Sequence, residues 1–262
     1  MTRTPLTGSS LVDVDASIVF RRPFFVVLVI TFVAGALDGV GYRHLGVFTA
    51  NQAGNLVIGT TMMIDAPAIA VLAIVSVLGC GLGVACIVLA RFLRPWLAGP
   101  NGSRALMIAA AVLVFAASGV GEQIAPGSKT GPAAVGELWS SAWWATALAV
   151  GMAAFSVAIL GMVFISGGGM RAPVLASTNA YLDAVRYGVA SRLDRTETTW
   201  PKLARRAAAF PLAWTLGAST AVAGVGPLSR LGLTGGSAVI VIVVALFARR
   251  VTGSQPNPDP TV

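Results

Sequence analysis

The chain has 262 residues, of which 56% are hydrophobic and only 11% charged, and it carries a formal net charge of +8. A soluble domain carries roughly 25% charged residues, so this composition, with a mean hydropathy of +0.81, excludes an ordinary soluble fold and indicates a membrane protein. The isoelectric point near 10.7 does not imply a nucleic-acid partner, because the basic residues cluster in connections between apolar runs.

Residues 1–22 read as a cytoplasmic tail. No small-x-small cleavage pattern follows the first apolar run, so no cleaved signal is expected. That run, Pro23–Leu37, is free of Asp, Glu, Lys and Arg. It falls short of the ~20 residues that cross a bilayer and reaches that length only by continuing through Asp38 to about Tyr42.

Asp38 to Asn55 then form a block of polar and backbone-flexible residues at membrane depth. Lipid satisfies neither a carboxylate, a guanidinium nor an amide, so such groups face protein or trapped water and mark substrate or ion pathways. Asp38 is the carboxylate inside a predicted span. It reads as a proton or cation site, or else as a helix-end Asp in the outer headgroup region. Arg43 follows as a partner for Asp38, an anion ligand, or an interfacial Arg that snorkels to the headgroups. His44 is the single histidine and has no acidic or Cys partner pattern, so no metal site is expected. Asn51, Gln52 and Asn55 supply uncharged donors and acceptors. They either line a site or satisfy the freed backbone of a broken helix. If residues 52–63 form a half-helix, its N-terminus offers N–H groups to an anion.

The later charge-free runs are Ala66–Ala90, Ala105–Gly121, Leu138–Met170, Ala207–Ser229 and Leu231–Ala248. The run Leu138–Met170 holds 33 residues, about 50 Å as one helix at ~1.5 Å per residue. It must bend, tilt or break, and Ser166-Gly-Gly-Gly169 is the expected place. Cys80 and Cys86 are about 9 Å apart along one helix, too far for a disulfide, and read as packing residues. Gly127-Ser-Lys-Thr lacks the glycine-lysine dipeptide of a P-loop. Trp139, Trp143 and Trp144 read as an aromatic belt. Gly35-x-x-x-Gly39 and Gly79-x-Gly81-x-Gly83 permit close helix approach, within the bundle at least as well as in a homo-oligomer.

Six spans are therefore expected. Of the 18 Lys and Arg residues, 15 then fall on one face and only Arg43, Lys129 and Arg230 on the other. This places both termini in the cytoplasm by the positive-inside rule. A seventh span over 46–63 would invert everything after it, so that segment is expected to be re-entrant. Residues 183–206 are basic and partly amphipathic and are expected to meet anionic lipid headgroups. Residues 251–262 read as a flexible tail.

Shifting the chain by 116 residues brings Gly35 onto Gly151, Val47 onto Val163 and Phe48 onto Phe164. The polar block Asn51–Asn55 then falls on Gly167–Arg171, which adds Arg171 to the candidate ligands or makes it the cytoplasmic end of the fourth span. Three spans per half imply an inverted repeat, a layout in which sites form at the midplane. The expected organisation is residues 23–122 as the first three-helix repeat, 123–137 as an extracytoplasmic loop, and 138–250 as the second repeat with a cytoplasmic loop at 171–206.

Gly35-Ala-Leu-Asp38-Gly, Gly46-Val-Phe48, Gly54-Asn55-Leu56 and Gly59 together resemble the YoaK-type family of uncharacterised bacterial inner-membrane proteins, over roughly residues 24–248. The resemblance implies a six-span, all-α bacterial inner-membrane protein without an assigned activity. The chain departs from the family pattern at Ala53, at Ala153-Ala154 and at Gly169-Met-Arg171; if the two halves of the family share a site, half of its polar ligands are missing here. The functional expectation is a small secondary transporter of a polar solute, with proton coupling through Asp38. The alternative is a non-transporting scaffold, sensor or partner subunit. No enzyme chemistry and no cofactor are expected, since no His/Asp cluster or Ser/His pair appears.

Overall fold

Proline marks where the long helices begin. Its fixed φ and missing N–H suit the first helical position, where that N–H would find no partner anyway. Pro23, Pro67, Pro100 and Pro132 open α1 (Pro23–Leu45), α3 (Pro67–Leu93), α4 (Pro100–Ile124) and α5 (Pro132–Val163). The short α2 (Gln52–Thr61) lies between α1 and α3. A 3₁₀ turn, Pro95–Ala98, joins α3 to α4. After α5 come a two-residue antiparallel pair, β1 (Ser166–Gly167) and β2 (Met170–Arg171), then α6 (Ser177–Leu193) and α7 (Trp200–Gly224). The computed structural model describes residues 23–124, 132–163, 166–167, 170–171, 177–193, 196, 199–224, 237–238 and 240–242.

Among the described residues, four helices are long and apolar enough to cross a membrane, at Phe24–Leu45, Pro67–Leu93, Asn101–Val120 and Trp143–Met162. They make this a helical membrane protein. Helix α7 covers the expected fifth run as far as Gly224 and is not among these four, and of the expected sixth run residues 237–238 and 240–242 are helical. The remainder of both, the two tails, Lys129, Arg230 and Gly168-Gly169 lie outside the described residues.

Two expected connections are shorter than the charge pattern implies. Helix α4 runs to Ile124 and α5 starts at Pro132, so much of 123–137 is helical. Likewise 171–206, expected as a loop, contains α6 and the first turns of α7. A charge marks where apolar surface ends, and a helix continues past it whenever its backbone bonds are met. The long run from Leu138 ends its helix at Val163, just before the glycine-rich segment.

The long helices pack in two parallel pairs. Along α1 and α7, Phe24 meets Phe210 edge-on at 5.5 Å, Gly35 lies against the Trp214 backbone, and Gly39 lies against Ala218 and Ala221. Gly217 sits against the Phe32 carbonyl. Along α3 and α5, a side chain at Gly79 would come within 2.7 Å of the Gly151 carbonyl and one at Gly83 within 2.9 Å of the Phe155 carbonyl. Arg91 Nη2 donates to the Met162 carbonyl at 3.1 Å. Residue numbers rise together in both pairs. The small residues let the backbones touch, which is how helices gain dispersion contact where lipid supplies no hydrophobic drive. The close approaches of Gly35, Gly39, Gly79 and Gly83 are thus made inside one chain, whereas a side chain at Gly81 would meet nothing within 4 Å.

A central apolar cluster joins Val27, Ile30 and Val33 of α1 to Met107 and Val114 of α4, Leu160 of α5 and Phe210 of α7. A smaller cluster of Val47, Ile69, Leu72, Ala73 and Val150 lies under the segment between α1 and α2. Cys80 is buried, Cys86 is exposed, and both are free thiols.

Candidate functional site

The site begins where α1 stops. Gly46 takes φ of +70°, the left-handed conformation that glycine adopts without a Cβ penalty and that commonly ends helices. Its N–H still donates to the Tyr42 carbonyl at 2.9 Å. Residues 46–51 are then irregular. Their backbone groups lie at the level of buried apolar residues, so each needs an internal partner.

Asp38 supplies several of those partners at once. Its Oδ1 accepts from the backbone N–H groups of Thr49 at 2.7 Å, Ala50 at 2.5 Å and Asn51 at 3.4 Å, and from the Thr49 hydroxyl at 3.2 Å. These N–H groups lead into the N-terminus of α2. The chain's own carboxylate is therefore seated just ahead of α2, on N–H groups that precede its first residue Gln52. Asp38 is 1% exposed, and its second oxygen, Oδ2, is buried without a hydrogen-bond partner.

Asn55 performs the matching task for Phe48. Its Oδ1 accepts the Phe48 N–H at 2.8 Å and its Nδ2 donates to the Phe48 carbonyl at 2.6 Å. One carboxamide thereby replaces both hydrogen bonds that a helix or sheet would have given Phe48. Nδ2 also lies 2.9 Å from Ser76 Oγ and 3.1 Å from Gln52 Oε1, and the Ser76 hydroxyl donates to the Phe48 carbonyl at 2.8 Å. Gln52 Nε2 donates to the Thr49 carbonyl at 2.8 Å. Asn51 caps α2, its Oδ1 accepting the Gly54 N–H at 3.1 Å. Capping by Asn satisfies one of the free donors at a helix start. The Tyr42 ring stacks on Phe48 at 4.8 Å, closing one side of the segment.

Asp38, Asn51, Gln52 and Asn55 are thus brought together, within a single hydrogen-bonded knot. Arg43 is not among the groups that hydrogen-bond the Asp38 carboxylate. Five helical residues separate it from Asp38, which points the two side chains about 140° apart at 3.6 residues per turn, and Asp38 is held by residues 49–51 instead. Arg171 lies in β2, paired with Ser166. Of its position, the backbone register is what the structure describes. The segment with β1 packs against α1.

Two participants escaped the sequence reading. Ser76 is 0% exposed and is the one Ser, Thr, Asn or Gln within the run Ala66–Ala90. A search for charges passes over it, while a search for any hydrogen-bonding side chain in an apolar run finds it. Thr49 contributes through its hydroxyl and, at shorter range, through its backbone N–H, which no sequence pattern displays. No group of His, Cys, Asp and Glu able to hold a metal occurs among the described residues.

A membrane-embedded helical bundle with a broken first helix defines the class of protein. The chain belongs to the family described as "Protein of unknown function (DUF1275)", whose model matches residues 26–248. Comparison with curated proteins and with solved structures returned no match.

Proposed function

We propose that the protein is a small secondary transporter of a polar solute, with Asp38 as its proton- or cation-responsive group. The observation that carries this reading is the buried Asp38 Oδ2, which has no hydrogen-bond partner at the break of a membrane-crossing helix. A bare carboxylate oxygen in an apolar interior is costly unless a proton or cation meets it. Ionisable groups at such depth are functional by default. In this reading the protein is not an enzyme.

The same reading takes the chain as six spans in two inverted repeats, with both termini in the cytoplasm of a bacterial inner membrane. Its support is the exchange of partners between halves. The first long helix of each half pairs in parallel with the helix that follows the break of the other half, α1 with α7 and α5 with α3. Gly35 and Gly151, related by the 116-residue shift, both lie in these contacts. The distribution of Lys and Arg supports the orientation.

A second reading, a non-transporting scaffold, sensor or partner subunit, is favoured by the internal bonding of Asn51, Gln52 and Asn55. Those amides then serve the backbone of the break rather than a solute. Uptake of candidate solutes into proteoliposomes, with and without a pH gradient, separates the two. Gradient-driven accumulation of any solute supports the transporter. Absence of both uptake and exchange across a broad polar panel supports the second reading.

A further inference from the structure

Helix α6 carries a surface that the transport reading does not use. Tyr181, Leu182, Val185, Val189 and Leu193 are all exposed, at 48–83% of their full area. Together with exposed Arg186 and Arg192 they fall within about 140° of arc at 3.6 residues per turn. The opposite side of the helix is covered by α7, and Tyr187 stacks on Trp200 at 5.9 Å. The first turns of α7 add Lys202, Arg205 and Arg206, with Arg206 5.9 Å from the Phe24 ring centroid at the start of α1.

We propose that this face of α6 is an interfacial surface. Its apolar stripe enters the acyl boundary of the leaflet on that side, and Arg186 and Arg192 bind the phosphates of anionic lipids. The charge pattern selects this occupant. An apolar stripe edged by Arg186 and interrupted by Arg192 near its other edge, beside further basic residues, matches a negatively charged headgroup layer over an acyl region. The spacing also fixes the attitude of the helix. Standing along the membrane normal, α6 would hold Arg186 about 9 Å deeper than Arg192 at ~1.5 Å per residue. Lying in the interface, it keeps both at headgroup level while Val185 and Val189 reach the chains.

The test uses the full chain in nanodiscs, with nitroxides at Val185→Cys or Val189→Cys in a Cys80→Ala/Cys86→Ala background. Discs of phosphatidylcholine are compared with discs that also contain phosphatidylglycerol. In anionic discs both labels should relax with dissolved oxygen and be shielded from a water-soluble nickel chelate, and the shielding should fall in neutral discs. Each arginine near an anionic surface shifts the immersion equilibrium constant about fivefold, so Arg186→Glu/Arg192→Glu, which loses two positive charges and adds two negative ones, should lower it by at least about 25-fold. Arg186→Lys/Arg192→Lys should retain it. The comparison of lipids needs no charge variant and decides the matter even if the double Glu variant misfolds. Equal nickel access in both lipids would overturn the proposal. So would spin–spin broadening that vanishes on dilution with unlabelled protein, because a second copy would then cover the face.

Discussion

The carboxylate of Asp38, on α1, accepts the backbone N–H of Thr49 at 2.7 Å, eleven residues further along the chain. This bond turns the chain back on its own helix and holds the start of α2 beside α1. Oδ1 organises the break, and Oδ2 is the oxygen that the proposed transporter reading assigns to a proton or cation.

Substitutions at Asp38 should separate those roles. Asp38→Ala leaves the Thr49 and Ala50 N–H groups without their acceptor, at about 1–3 kcal/mol for each buried group left unsatisfied. It should lower the thermal midpoint in detergent substantially. Asp38→Asn keeps an oxygen for those donors and loses the charge-assisted strength, so its cost should be smaller. If Asp38 carries protons, Asp38→Asn should abolish pH-driven accumulation while counterflow exchange and the fold survive. A destabilised Asp38→Asn protein with unchanged transport per folded molecule would make Asp38 a structural cap, and proton coupling would be abandoned.

Asn55 meets both backbone groups of Phe48, which requires an acceptor and a donor on one side chain. Asn55→Ala should cost about 2–4 kcal/mol, from two buried backbone groups and the Ser76 contact. Asn55→Asp should cost more than Asn55→Ala, since it retains the acceptor, loses the donor and adds a buried charge. Thermal denaturation of the purified variants gives the order. A well-folded Asn55→Ala protein with weakened solute binding and the wild-type pH dependence would instead make Asn55 a ligand.

The parallel helix pairs should be sensitive to single methyl groups. A Cβ at Gly35 or Gly217 would overlap backbone atoms of Trp214 or Phe32, and backbone cannot rotate aside. Gly35→Ala and Gly217→Ala should each destabilise by about 1–3 kcal/mol. Gly81→Ala meets open space and should be neutral or stabilising, by up to about 1 kcal/mol of helix propensity. Equal effects at Gly35 and Gly81 would mean that α1 and α7 do not touch as described.

The orientation has a direct check. In a background lacking Cys80 and Cys86, cysteines at Lys129 and Arg230 should react with an impermeant thiol reagent added outside intact cells. Cysteines at Arg94 and Arg195 should be protected. The reverse labelling pattern would place the termini outside.

The sequence by itself determined the membrane class, the apolar runs that became four membrane-length helices, and the break near Asp38. These follow from composition and local rules. Lipid leaves no choice but helices for apolar runs, and Gly46, with polar residues after it, ends one. The prolines at 23, 67, 100 and 132 also mark helix starts.

What only the tertiary structure decided is how the polar block is used. Asp38, Asn55 and Ser76 lie on three different helices, and their shared purpose is to satisfy the backbone of residues 48–51. Backbone donors have no letter in a sequence, so a carboxylate that binds a solute and one that binds Thr49 read alike. The pairing of α1 with α7 is equally silent, because Gly35 and Trp214 are remote in the chain and meet only when the two backbones come into contact.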